Sequence, residues 1–146
     1  MKRRKRLLMI VLLSMALLAL GFALYVSDGY RATDVALACL DVEGGPRVRS
    51  VDHTLCIETP GATTALAFYP GGKVQAEAYM PLLRRIARDG ADCYLVKMPF
   101  NLAVFGVNRV EGVMAVHPHD RWLLAGHSLG GAMAAQWAAE HPGQLD

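Results

Sequence analysis

The sequence predicts an α/β fold: a doubly wound, mostly parallel sheet preceded by one transmembrane helix. Three observations carry this. From Thr63 onward, short apolar runs of strand length alternate with segments of helical character, the arrangement that gives parallel strands joined by right-handed crossovers. Near the end, Gly126-His127-Ser128-Leu129-Gly130 separates an apolar run from an alanine-rich one. At the start, Leu7 to Val26 offers 20 residues without a charge behind five consecutive cations.

That apolar run is long enough to cross a bilayer at about 1.5 Å per residue. Its basic flank, Lys2-Arg3-Arg4-Lys5-Arg6, stays on the cytoplasmic side. Residues 1–26 therefore read as a basic n-region and transmembrane signal anchor, with the rest of the chain extracytoplasmic. The run exceeds the usual signal-peptide core, which favours an uncleaved anchor. Secretion after cleavage is the second reading, because Gly21-Phe22-Ala23 supplies small residues at suitable spacing. A buried core helix does not fit, since the segment has no polar face.

Residues 27–62 read as a linker and an edge hairpin. Ser27 to Asp34 is polar, and Val35 to Leu40 is an apolar stretch of one or two helical turns. Gly44-Gly45-Pro46 is a turn. Arg47 to Val51 alternates with period two and Thr54 to Glu58 does so less cleanly, as two hairpin strands at a sheet edge would.

Residues 63–146 carry the repeating pattern. Thr64 to Tyr69 is a buried-type strand ending in Pro70-Gly71-Gly72-Lys73. Ala76 to Arg88 is an amphipathic helix with Tyr79, Met80, Leu83, Ile86 and Ala87 on one face, Arg84, Arg85 and Arg88 toward the other or the end, and Gly90 closing it. Cys93 to Val96 is the next strand, stopped by Met98-Pro99. Asn108 to His117 is helical by the spacing of Val110, Val113, Met114 and His117, and Pro118 stops it. Trp122 to Ala125 is a strand and Ala132 to Ala139 a helix.

The turn between these last two has the composition of a nucleophile elbow. For the Ser128 hydroxyl to stand clear of the sheet, its backbone must adopt a strained conformation in a tight strand-to-helix turn. Strand and helix then approach so closely that Gly126 and Gly130 must lack side chains. The helix N-terminus behind Ser128 favours developing negative charge, and the N–H of Leu129 is the natural first donor to an oxyanion.

Charge and cysteine content narrow the function classes. The formal charge is +2, but without the five leading cations ten Lys and Arg face thirteen Asp and Glu, about −3 for the body. That argues against a nucleic-acid partner and confines the basic patch to membrane topology. Cys39, Cys56 and Cys93 have no zinc-ligand spacing. Outside the cytoplasm, Cys39 and Cys56 either pair or remain separate buried thiols.

With these residues in place the chain resembles the α/β-hydrolase superfamily, and within it the α/β-hydrolase-5 or dienelactone-hydrolase-like (carboxymethylenebutenolidase-type) group. The stretches that carry the likeness are Phe68 to Val74, Val96 to Ala103 and Gly126 to Gly131. The likeness spans roughly Thr63 to Asp146, as the N-terminal half of such a sheet. It implies Ser128 as nucleophile, Leu129 N–H as one oxyanion donor, and a second donor from the loop after the Thr64–Tyr69 strand: Gly72 N–H first, Lys73 N–H next. It implies an ester, thioester or lactone as small-molecule substrate and no metal or organic cofactor.

The sequence departs from the pattern in one respect. A serine triad in this fold runs Ser, acid, His along the chain. After Ser128, only Glu140, His141 and Asp146 qualify, on or just beyond the elbow helix, which leads away from the serine. His127 points elsewhere as the elbow's variable residue, and His53, His117 and His119 read as surface or helix-end histidines. The expectation is a C-terminally truncated hydrolase whose acid and histidine lie beyond Asp146. Lys73 and Lys97 read as solvated surface groups. The rival classes are a non-catalytic binding or scaffold protein that keeps the elbow for packing, and an inactive truncated product.

Overall fold

The computed structural model describes residues 2–42 and 44–146. Met1, at the head of the basic run, and Glu43, in the segment read as linker and edge hairpin, lie outside the described residues. Five strands form one sheet in the order β1-β2-β4-β3-β5. β1 (Arg47–Val51) and β2 (Thr54–Glu58) make the expected edge hairpin, and β2 runs antiparallel to β4 (Asp92–Val96). β3 (Thr64–Tyr69) lies between β4 and β5 (Arg121–Gly126) and is parallel to both. The three parallel strands therefore end together, and the loops after Tyr69, Val96 and Gly126 share one end of the sheet.

Helices cover both faces. α2 (Asp34–Ala38), capped by the Thr33 hydroxyl accepting the Ala36 N–H, and α3 (Met80–Arg88) lie on one side. There Met80, Leu83 and Ala87 pack on Leu66, Phe68, Cys93 and Leu95. α4 (Arg109–Val116) and α5 (Leu129–Glu140) cover the other side. Val110, Val113, Ala134 and Trp137 pack there on Ala65, Ala67, Tyr69, Tyr94 and Val96. With both faces covered, β2 is buried along Thr54 to Ile57, which is why its alternation is weak in the sequence.

Three expectations are corrected. The segment Ala76 to Arg88 is not one α-helix: Ala76–Tyr79 is a 3₁₀ turn and the α-helix begins at Met80. Pro81 is the cause, because it has no N–H to give to a preceding turn and suits the first turn of a helix. Arg84 is not on a solvent face but 3% exposed. Its guanidinium donates to the carbonyls of Cys39 at 3.2 Å and Val42 at 3.4 Å, tying α3 to the segment after α2. Ser27 to Asp34 is no loose linker either. α1 (Lys2–Ser27) runs through Ser27, and beyond it Tyr30 pairs with Val74, its N–H on the Lys73 carbonyl and its carbonyl on the Gln75 N–H, each at 2.8 Å.

A bond between Cys39 and Cys56 is likewise excluded. All three cysteines are free. Cys56 faces the core under α4 and α5, whereas Cys39 packs with the cluster on the opposite face. Burial pushes the Cys56 thiol up to about 11 and Cys93 to about 12, so neither is a nucleophile at neutral pH. Thiol counting on denatured, unreduced protein is expected to give three free groups; one free group would contradict this arrangement.

Candidate active site

The geometry around Ser128 follows from how little space separates α5 from the strand ends. A Cβ at Gly130 would stand 2.2 Å from the Tyr69 carbonyl oxygen and 2.3 Å from that of Pro70. One at Gly126 would stand 2.5 Å from the Gly130 carbonyl carbon. These are backbone atoms that no rotamer change relieves. Between the two glycines the chain reverses within three residues, and Ser128 takes φ 51°, ψ −121°. Such a backbone costs on the order of 1–3 kcal/mol. The buried α5 side chains offset it, since a large apolar group contributes roughly 1.5–3 kcal/mol and Trp137 is fully buried.

The structure brings the two oxyanion-donor candidates together. A Cβ on Gly72 would lie 3.5 Å from the Leu129 Cβ and 3.1 Å from its Cδ2, so the loop after β3 and the first turn of α5 are in contact. Among the described residues, neither Gly72 N–H nor Leu129 N–H has a protein acceptor. The alternative donor, Lys73 N–H, is already bound to the Asn101 carbonyl at 2.8 Å, which leaves Gly72.

One link here has no sequence signal. The Gly71 N–H donates to the Tyr79 hydroxyl at 3.0 Å, and that hydroxyl lies 2.8 Å from His127 Nδ1. The Tyr79 hydroxyl bridges the Gly71 N–H and the His127 ring. Tyr79 and His127 thus clamp the Gly71-Gly72 loop to the elbow. The helical spacing placed Tyr79 on a core face, and only the fold reveals that its hydroxyl reaches two loops.

The remaining histidines stand away from Ser128. His53 is in the β1–β2 turn, its carbonyl accepting the Lys97 N–H at 2.7 Å, about 14 Å across three strand spacings from β5. The His117 ring lies tilted against Tyr94, 4.7 Å between centroids, and desolvation lowers its pKa. His119 Nε2 lies 2.9 Å from Asp92 Oδ2. This is a buried His–carboxylate pair that the sequence reading missed, at the N-terminal ends of β4 and β5, about 20 Å of strand from the serine. His141 stacks on Trp137 at the far end of α5, about 18 Å along the helix. Asp146 binds the backbone of Trp122 at the start of β5. Lys97 and Lys73 are not simply solvated: Lys97 Nζ pairs with Glu77 at 2.7 Å, and Lys73 Nζ pairs with Asp28 at 3.4 Å and stands 4.5 Å above the Tyr25 ring.

Backbone strain gathers at this end of the sheet. Among the described residues, five non-glycine positions have positive φ, and four of them (Lys73, Phe100, Asn101 and Ser128) lie in the loops that follow β3, β4 and β5. These features define an α/β protein whose last strand and helix meet in a tight, strained turn at Ser128. In comparison with known families, residues 65–146, more than half of the chain, match the alpha/beta hydrolase family, and the chain belongs to it. No curated protein and no solved structure matches.

Gly130→Ala is expected to destabilise the domain by on the order of 3 kcal/mol, the upper range of overpacking. Gly112→Ala, inside α4 with open space at its Cβ, is expected to stabilise it by about 0.5–1 kcal/mol. Urea unfolding in detergent micelles compares the two; equal midpoints would contradict the close-approach geometry.

Proposed function

We propose that this chain carries the nucleophile and oxyanion hole of a membrane-anchored serine hydrolase that cleaves an ester, thioester or lactone through an acyl-enzyme. The observation that carries the reading is Ser128 at φ 51° with the unengaged N–H groups of Leu129 and Gly72 beside it. In this mechanism Ser128 Oγ adds to the substrate carbonyl while its proton passes to a base. Charge then collects on the former carbonyl oxygen, and the two N–H groups receive it. Such preorganised donors are worth roughly 10²–10³ in rate each. Collapse expels the alcohol or thiol, and water repeats the sequence in reverse to free the acid. The Pro70-Gly71-Gly72 loop supports the dienelactone-hydrolase-like group, in which backbone donors after β3 complete the hole. α1 supports an anchor with the basic leader cytoplasmic and the domain extracytoplasmic; secretion after cleavage at Ala23 is the second reading.

The base is the open part of this proposal. His127 Nδ1 is held by Tyr79, and the other histidines of the described chain stand far from Ser128. We assign the base and its orienting acid to sequence following Asp146. The same histidine inventory favours, as a second reading, a non-catalytic member of the family that keeps the elbow for packing.

A fluorophosphonate probe separates these. Residues 1–146 alone are expected to label slowly, because an elbow serine without a base is a weak nucleophile. The chain continued through its natural reading frame is expected to label rapidly and to lose labelling in Ser128→Ala. Slow labelling in both forms would favour the non-catalytic reading, and rapid labelling of the short chain would make an upstream histidine the base.

A further inference from the structure

The end of α1 does not merely precede the domain but docks on the loops around Ser128. The Phe22 ring meets Phe100 edge-on at 5.3 Å and Phe105 at 6.1 Å, and those two meet each other at 5.8 Å. Tyr25 lies under the Lys73 ammonium, and Gly29 fits so tightly that a Cβ there would stand 2.8 Å from the Lys73 carbonyl oxygen. All of these contacts are with the loops after β3 and β4.

Depth in the membrane follows from counting residues. If Leu7 to Val26 fills the hydrocarbon layer, its 20 residues span about 30 Å. Phe22 then lies about 6 Å inside the outer end of the run. A ring in edge contact with Phe22 shares that depth, so Phe100 and Phe105 cannot stand in water while α1 spans the bilayer. Both are more than half exposed on the domain, as is Tyr30, and Val104 beside them is 46% exposed. Phe100 also holds a left-handed backbone at φ 55°, an outlier for a bulky residue, which is used here to turn an apolar ring outward. With Tyr25 and Tyr30 these rings form the aromatic collar expected at a membrane interface.

The collar adjoins the site. Leu102, between Phe100 and Phe105, lies 3.8 Å from the Cβ position of Gly72, and α5 packs against Ala103–Phe105. We propose that the Phe100–Phe105 loop is seated in the outer leaflet, so that the Ser128 site opens on the membrane surface and takes an ester whose acyl chain is held by the leaflet. The proposal rests on α1 as an anchor and, for its substrate half, on Ser128 as nucleophile.

The full chain in phosphatidylcholine vesicles tests it, with Phe105→Trp as reporter and Glu140→Trp, exposed at the far end of α5, as reference; the native Trp122 and Trp137 are buried and common to both. The Phe105→Trp emission is expected to fall roughly twofold when the lipid is brominated near the headgroup end of an acyl chain, as for a ring at the interface, while the Glu140→Trp emission does not change. Equal quenching of the two would overturn the proposal, and so would release of the chain by alkaline wash, which would remove the anchor. In the same vesicles the chain continued through its natural reading frame is expected to be labelled at Ser128 faster by a long-chain fluorophosphonate than by a short-chain one, and Phe105→Ser to remove the difference. Quenching without labelling by either probe would overturn the nucleophile and the substrate half but keep the membrane seat. Equal labelling rates without quenching would overturn the membrane seat and leave the nucleophile standing.

Discussion

The first turn of α5 lies against the ends of β3 and β5 with no room for a side chain between them. The Tyr69 and Pro70 carbonyls occupy the place of a Gly130 Cβ, and the α5 backbone occupies that of a Gly126 Cβ. Only glycine tolerates such an approach, and only a reversal within three residues connects a strand to a helix that close. Ser128 takes its unusual φ because the residues on either side leave it no other path. Leu129 N–H is free because it begins a helix, whose first N–H groups have no partner within the helix. The Gly72 loop reaches it because β3 is the strand next to β5.

Sheet order extends this local constraint outward. With β3 between β4 and β5, the loops after all three parallel strands meet at one end, which is where open α/β sheets bind ligands. Tyr69 reinforces the same end from below. Its buried hydroxyl, with a pKa pushed up to about 12, accepts the Val110 N–H and donates to the Val107 carbonyl, fixing the start of α4. The segment after α1 pairs with Val74 and so bears on the loop that carries Gly72. α1, the Gly72 loop and the turn at Ser128 are thus one contiguous structure.

Much of this was readable in the sequence where local chemistry is decisive. All five strands were expected within a residue or so of their ends, because buried strands are short apolar runs bounded by turns. The tight strand-to-helix turn at Ser128 was expected, because Gly126 and Gly130 each answer a steric need. What escaped depends on contacts between residues distant in the chain. Arg84 looked solvent-facing by helical spacing, and only the carbonyls of Cys39 and Val42, supplied from another segment, explain its burial. The Tyr79 clamp and the His119–Asp92 pair join side chains 48 and 27 residues apart, and no periodicity marks them. Pro81 did mark the start of α3, but an amphipathic pattern continuing through Ala76 concealed it.

The most direct measurement is a crystal structure of the protein with a phosphonate bonded to Ser128. The phosphoryl oxygen is expected between the N–H groups of Leu129 and Gly72, at about 2.7–3.1 Å from each nitrogen as in other oxyanion holes, with Ser128 φ still positive. A phosphoryl oxygen turned to solvent, or a Gly72 N–H engaged by another group, would contradict the account.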